Sequence, residues 1–126
     1  MHLRSSLSKV HGLGPAKSGT LHWWSQRISA VALIPLSYWF IIFLELSLYA
    51  PFQDTIIWLK APLNSAALIA WIIAAFYHAA LGLQVVAEDY LHSEGQKIVV
   101  IWSIKLLFMF LVLFALLAVF RITLTG

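Results

Sequence analysis

The sequence predicts an all-α integral membrane protein of three transmembrane helices. Two observations carry that expectation. Residues 28–49, 65–87 and 98–120 form apolar runs of 22 or 23 residues, and about 20 suffice to cross the hydrocarbon core. Hydrophobic residues make up 62% of the 126-residue chain and charged residues 10%, against about 25% charged in a soluble domain. So few charges cannot build a water-facing surface, and the remaining surface must face lipid. There is no cysteine, which excludes disulfides, a cysteine-ligated iron–sulfur cluster and covalent c-type haem.

Residues 1–27 read as an extended, cytoplasmic arm. Arg4, Lys9, Lys17 and Arg27 make it basic, it holds no acid, and Gly12, Gly14, Pro15 and Gly19 interrupt any regular pattern. It does not read as a signal peptide, because the apolar run after it is too long for an h-region. The first span is 28–49. Pro35, two turns in, is expected to kink it. An outer loop, 50–64, is bracketed by Pro51 and Pro62. The second apolar run continues into a helix over 65–90. A cytoplasmic loop, 91–97, is marked by Gly95, and the third span, 98–120, leaves a tail of 121–126. In lipid each span must satisfy its own backbone hydrogen bonds, so each is helical. The arm, Lys97 and Lys105 outweigh Lys60 and Arg121, which puts the N-terminus in the cytoplasm and the C-terminus on the far side. Trp23, Trp24 and Trp102 mark the inner interface and Trp58 the outer one.

His78 is the most informative residue, the only histidine within an apolar run. Ionisable groups inside the membrane are expensive and by default functional. Three roles stay open for it: haem or metal ligation, proton relay, or a packing hydrogen bond. Ala74, Ala75 and Gly82 share its face. They leave either a shallow bay beside the imidazole or a small-residue packing seam. Asp89 lies 11 residues on, about 20° around and about 16 Å along the same helix. Glu88, Asp89, Tyr90 and His92 form either an interfacial cap or a set of groups able to hydrogen-bond a carbonyl compound. His22, Trp23, Trp24 and Arg27 open the first span at the same membrane face. Arg27 is either a positive-inside anchor or a partner for a buried carboxylate. Glu45 and Lys105 fit snorkelling side chains, and Gln84 is expected to bond across a helix interface.

These residues together resemble the hydrophobic membrane anchor subunit of succinate dehydrogenase, the smaller cytochrome b-type subunit of that complex. Two motifs carry the likeness. One is G-x-x-H-W-W-x-Q-R from Gly19 to Arg27. The other is His78-x-x-x-Gly82, then Glu88-Asp89-Tyr90-x-His92 and Gly95. Ser29 stands where the family often has threonine. The resemblance implies that His78 is an axial ligand of haem b within a helical bundle shared with a partner subunit. It implies that Tyr90 hydrogen-bonds ubiquinone with Asp89 in support, and that Arg27 lies near the haem propionates and the quinone pocket. Gly82 and His22 fall in the same motifs and are taken as cofactor-binding. The implied partners are a second cytochrome b-type membrane subunit, an iron–sulfur subunit and a flavoprotein that oxidises succinate. Nucleic acid is not among them, and no catalytic residue for succinate is expected here. The second haem ligand would come from that partner; Met109 is the one mid-membrane sulfur alternative, since His22 and His92 lie near the interface and His2 and His11 in the arm.

Two rival classes remain at this level. A small proton-coupled transporter using Glu45 or His78 should show internal symmetry between helices, and the sequence has none. A cofactor-free scaffold predicts no visible absorbance. The expected location is the inner membrane, bacterial by the short arm without a transit segment, with the mitochondrial inner membrane as the alternative.

Overall fold

The computed structural model describes residues 14–125, with side chains from Thr20 onward. Arg4, Lys9, His2, His11 and the rest of the first 13 residues therefore lie outside the described residues, as does Gly126. Four helices follow one another: α1 (Gly14–Tyr49), α2 (Phe52–Lys60), α3 (Pro62–Tyr90) and α4 (Glu94–Thr125). Three of them are long and apolar enough to cross a membrane, at Thr20–Tyr49, Pro62–Tyr90 and Glu94–Thr125. Among the described residues there is no strand.

The helix boundaries correct three expectations. The arm is not extended from residue 14 onward, because α1 begins there and runs 36 residues without interruption through Pro35. Pro15 falls in the first turn, where its missing N–H has no partner to lose. Gly19 costs about 1 kcal/mol in a helix interior. Continuing the helix nevertheless spares the backbone from reaching hydrocarbon unpaired. The third span also starts early, at Glu94. The Ser93 hydroxyl accepts the Gln96 N–H at 3.4 Å and Glu94 sits in the first turn, so both complement the free donors and positive end of the helix. Gly95, expected to mark a loop, is inside that first turn.

The outer loop is the third correction. Its middle is α2, a nine-residue helix with Asp54 in its first turn and Lys60 in its last. Pro62 forces the preceding Ala61 into extended backbone, with ψ near 126°, which ends α2 and starts α3 at one residue. Asn64 Nδ2 donates to the Trp58 carbonyl at 3.0 Å and ties the two helices across that break. Thr55, Ile56 and Leu59 form the buried side of α2.

The three spans form a layer with α3 in the middle. α3 packs against both α1 and α4, whereas α1 and α4 do not pack against each other; α2 touches all three. The buried core lies under α2: Leu59, Leu68, Ile72 and Val119, ringed by Phe40, Phe43, Trp58, Trp71 and Phe76. The α1–α3 seam is held there by an aromatic clamp. Phe40 stacks on Trp71 with ring centres 3.7 Å apart and planes 4° from parallel. Trp71 Nε1–H donates to Ser37 Oγ at 3.1 Å. On the other side, Phe76 meets Phe108 of α4 edge-on at 5.8 Å.

Leu59 is 1% exposed and holds α2 on the bundle. Leu59→Ala is expected to cost about 2–5 kcal/mol, read as a lower SDS midpoint in mixed-micelle denaturation. Ile57, 67% exposed on the same helix, should tolerate alanine within about 0.5 kcal/mol. An equal loss at both positions would show that α2 is held by something other than its buried side.

Candidate functional site

The candidate site is built on α3 where it faces α1. The two helices run antiparallel, so Ser29, about four turns into α1, meets His78 of α3. Ser29 Oγ lies 3.0 Å from His78 Nδ1 and 3.0 Å from the Gln26 carbonyl, to which its hydroxyl donates. Ser29 is 6% exposed, one of the two buried polar residues of the chain's described part. His78 is half-buried. Its Nδ1 is engaged, and its Nε2 has no hydrogen-bond partner among the described residues.

One turn further along α3 is Gly82. A Cβ placed there would meet a single atom of the chain within reach, Gln26 Nε2, at 3.8 Å. That is ordinary contact, so α1 does not itself demand a glycine at this position. Gln26 packs toward Gly82 across the seam, and no other atom of a neighbouring helix lies within 4 Å of that position. Gln26 Oε1 is buried there with no partner.

Among the described residues His78 is the one histidine within the three apolar runs, and Met109 is the one sulfur there. Among the described residues no three of His, Cys, Asp and Glu converge on a point. An iron or other metal bound through His78 would need its remaining ligands from a porphyrin and from outside this set. An imidazole anchored at Nδ1, with Nε2 free and a glycine one turn away, is a donor set that suits an axial haem ligand.

The other sequence-derived residues lie toward the C-terminal end of α3 and are not drawn into this pair. Asp89 and Tyr90 end α3, both exposed, Tyr90 at 76%. Neither has a hydrogen bond, ion pair or ring contact among the described residues. Arg27 is exposed, and its guanidinium sits 5.2 Å over the Trp23 ring. Trp23 and Trp24 meet edge-on at 5.0 Å. His22 is exposed and lines a recess of about 340 Å³ with Ser25, Tyr77, Gln84 and Lys105. Gln84 does not bond across the helix interface as expected. It has no hydrogen bond among the described residues and faces that recess instead, because α4 presents Lys105 at this level. Lys105 lies 4.9 Å over the Trp102 ring.

Sequence reading overlooked Ser29, Ser37 and Trp71 as seam residues. A serine in a transmembrane helix is unremarkable alone. The available signal was weak: Ser29 and Ser37 are eight residues apart, about 80° around the helix, within one broad face that meets His78 and Trp71.

The comparisons agree with this architecture. Residues 1–120 match the family described as succinate dehydrogenase/fumarate reductase transmembrane subunit. The chain is 37% identical over 118 residues to a succinate dehydrogenase hydrophobic membrane anchor subunit of Rickettsia bellii, covering 93% of this chain and 94% of the relative. It is 34% identical to the protein of that description in Rickettsia conorii, over 78% of this chain and 80% of the relative. A more distant one, from Paracoccus denitrificans, is 27% identical over 75% of this chain and 74% of its own length. No solved structure matches significantly. With a match over nearly its full length and three helices long and apolar enough to cross a membrane, the chain belongs to the family of succinate dehydrogenase/fumarate reductase transmembrane subunits.

Proposed function

We propose that this chain is the membrane anchor subunit of a succinate dehydrogenase, holding one side of a haem b and one wall of a ubiquinone-reduction site. The observation that carries the reading is His78, an imidazole inside the membrane whose Nδ1 is held by Ser29 and whose Nε2 is unpartnered. A histidine serving only to pack helices would be expected to spend both ring nitrogens within the seam. Gly82, with a single neighbouring atom where a side chain would stand, fits close approach by a flat ring.

In this reading His78 would hold haem iron through Nε2, and a second cytochrome b-type subunit would supply the other protein ligand across a shared helical bundle. Haem b, when bound, supplies a one-electron redox centre inside the membrane. Arg27, its planar fork exposed at the inner end, pairs with propionate carboxylates or orients the quinone. His22 stands at the same face. The Tyr90 hydroxyl donates to a quinone carbonyl, and Asp89 supports that bond. Both groups are exposed and unpartnered, which leaves them available. The chain's share of catalysis is to place the quinone and polarise its carbonyl as it takes up two electrons and two protons. Succinate oxidation belongs to a flavoprotein subunit, and electrons reach the quinone through an iron–sulfur subunit. The chain sits in the inner membrane with its N-terminus in the cytoplasm and its C-terminus on the far side, as the basic residues of the arm direct.

Three outcomes test this. In the complex with its partner subunits, His78→Ala should abolish the dithionite-reduced low-spin haem spectrum; a normal spectrum there would sink the ligand assignment. Tyr90→Phe should leave that spectrum unchanged and slow quinone reduction several-fold. The lost neutral hydrogen bond is worth about 0.5–1.5 kcal/mol, and misplacement of the quinone adds to it. Electron transfer from succinate to an artificial acceptor upstream of the quinone should survive, and equal loss of both activities would make Tyr90 an assembly residue. A reporter fused after Gly126 should be active only on the far side of the membrane, and cytoplasmic activity would reverse the topology.

A further inference from the structure

An axial imidazole donates to iron according to what its other ring nitrogen does, because a hydrogen bond there fixes the tautomer, the ring orientation and the ligand's basicity. In this chain one side chain occupies that position, and its own proton is already committed. Ser29 has a single hydroxyl proton. Its oxygen is 3.0 Å from the Gln26 carbonyl three residues back in the same helix and 3.0 Å from His78 Nδ1. The first contact is the local back-bond that serines make within helices. Its geometry is set by the α1 backbone. With the proton spent on Gln26, the Ser29 oxygen offers His78 only lone pairs, and Nδ1 must carry the hydrogen.

The reverse arrangement has Ser29 donating to a bare Nδ1. The ring proton would then sit on Nε2, which has no acceptor among the described residues. An unpaired N–H in the membrane interior costs several-fold more than thermal energy. The forward arrangement leaves only a lone pair at Nε2, and a lone pair is what a metal takes. Ser29 is 6% exposed, so water does not compete for its oxygen. A hydroxyl that donates to a carbonyl is also polarised into a better acceptor.

We propose that Ser29 is the positioning residue of His78: through the relay Nδ1–H to Ser29 Oγ and Ser29 O–H to the Gln26 carbonyl, it selects the ligating tautomer and sets how strongly His78 donates to haem iron. The inference rests on the haem reading above. Stronger donation favours ferric iron, so removing the acceptor raises the midpoint potential. It also loosens haem, by about tenfold if Ser29 behaves like other outer partners of metal-bound histidine.

The test is spectroelectrochemical titration and low-temperature EPR of the complex with its partner subunits, together with haem loss to a competing apoprotein. Ser29→Ala keeps the volume of the seam nearly unchanged and removes the acceptor. It should raise the ferrous-to-ferric ratio several-fold at the wild-type midpoint, shift the low-spin g-values and speed haem loss about tenfold. Ser29→Thr, which keeps the hydroxyl, should restore all three. Ser29→Cys offers a poor acceptor of similar size and gives the same direction of shift should the alanine variant not assemble. A wild-type potential and g-values in Ser29→Ala or Ser29→Cys would overturn the proposal, as would equal shifts in Ser29→Ala and Ser29→Thr. Absence of haem from the wild-type complex would remove the ligand reading and the proposal with it, and is visible before any variant is made.

Discussion

In hydrocarbon, apolar side chains gain nothing by leaving lipid for a neighbouring helix, so α1 is held against α3 by close packing and a few polar bonds. Two such bonds span the seam, Trp71 to Ser37 and Ser29 with His78, and they lie about two turns apart along each helix. Each satisfies a polar group that would otherwise face lipid. The position and orientation of the His78 ring therefore follow from the register of the two helices. A shift of one residue along the seam would break both bonds at once and turn Gly82 away from Gln26.

That dependence explains why α3 occupies the centre. It is the only span packed on both sides, by α1 and by α4, and it carries His78, Gly82, Asp89 and Tyr90. The outer spans leave much of their surface uncovered: Ile34, Tyr38 and Leu48 on α1, and Leu106, Met109 and Phe114 on α4, are each at least 60% exposed. Lipid accommodates such surfaces without penalty. Met109 in particular is 60% exposed and lines the α3–α4 groove with Phe76, Ala80 and Phe108. His78 faces the other side of α3, toward α1. Ligation by both residues within one copy would require them to leave opposite seams.

The spans were legible because lipid imposes one solution on a 22-residue apolar run: a helix that pairs its own backbone. Their ends were not, because helix termini are decided by capping and proline geometry and not by hydropathy. The run stops at residue 98 while Ser93 caps α4 five residues earlier. The arm's glycines and Pro15 looked like breakers, yet Pro15 falls in the one turn where proline is tolerated. The helix α2 escaped notice because nine residues are too few for a strong periodic signal, though Pro51, Asp54, Lys60 and Pro62 bound it as helix ends are bounded. Of the candidate site, His78 and its face were readable from position. Its partner Ser29 was not, since contact between helices depends on register, which a single sequence does not state.

The polar groups of the described chain are distributed unevenly along the bundle axis. At one end α2 closes the layer over Leu59, Leu68, Ile72 and Val119, and three polar side chains there bond within the chain: Asn64 on Trp58, Ser65 on Ala61, Trp71 on Ser37. Thr55 Oγ1 is the buried exception. Toward the opposite end fewer bonds close within the chain. His78 Nε2, Gln26 Oε1, Gln84, Asp89 and Tyr90 have no hydrogen-bond partner among the described residues, and Arg27 and Lys105 meet only tryptophan faces. Polar groups near hydrocarbon do not stay unpaired without a cost of several kcal/mol each, and the exposed ones find water or headgroups at the interface. Gln26 Oε1 and His78 Nε2 lie deeper, beside a glycine that leaves room. The α1–α3 seam thus closes its polar bonds at Trp71 and Ser37, whereas at the His78 level it leaves Gln26 Oε1 and His78 Nε2 without partners among the described residues.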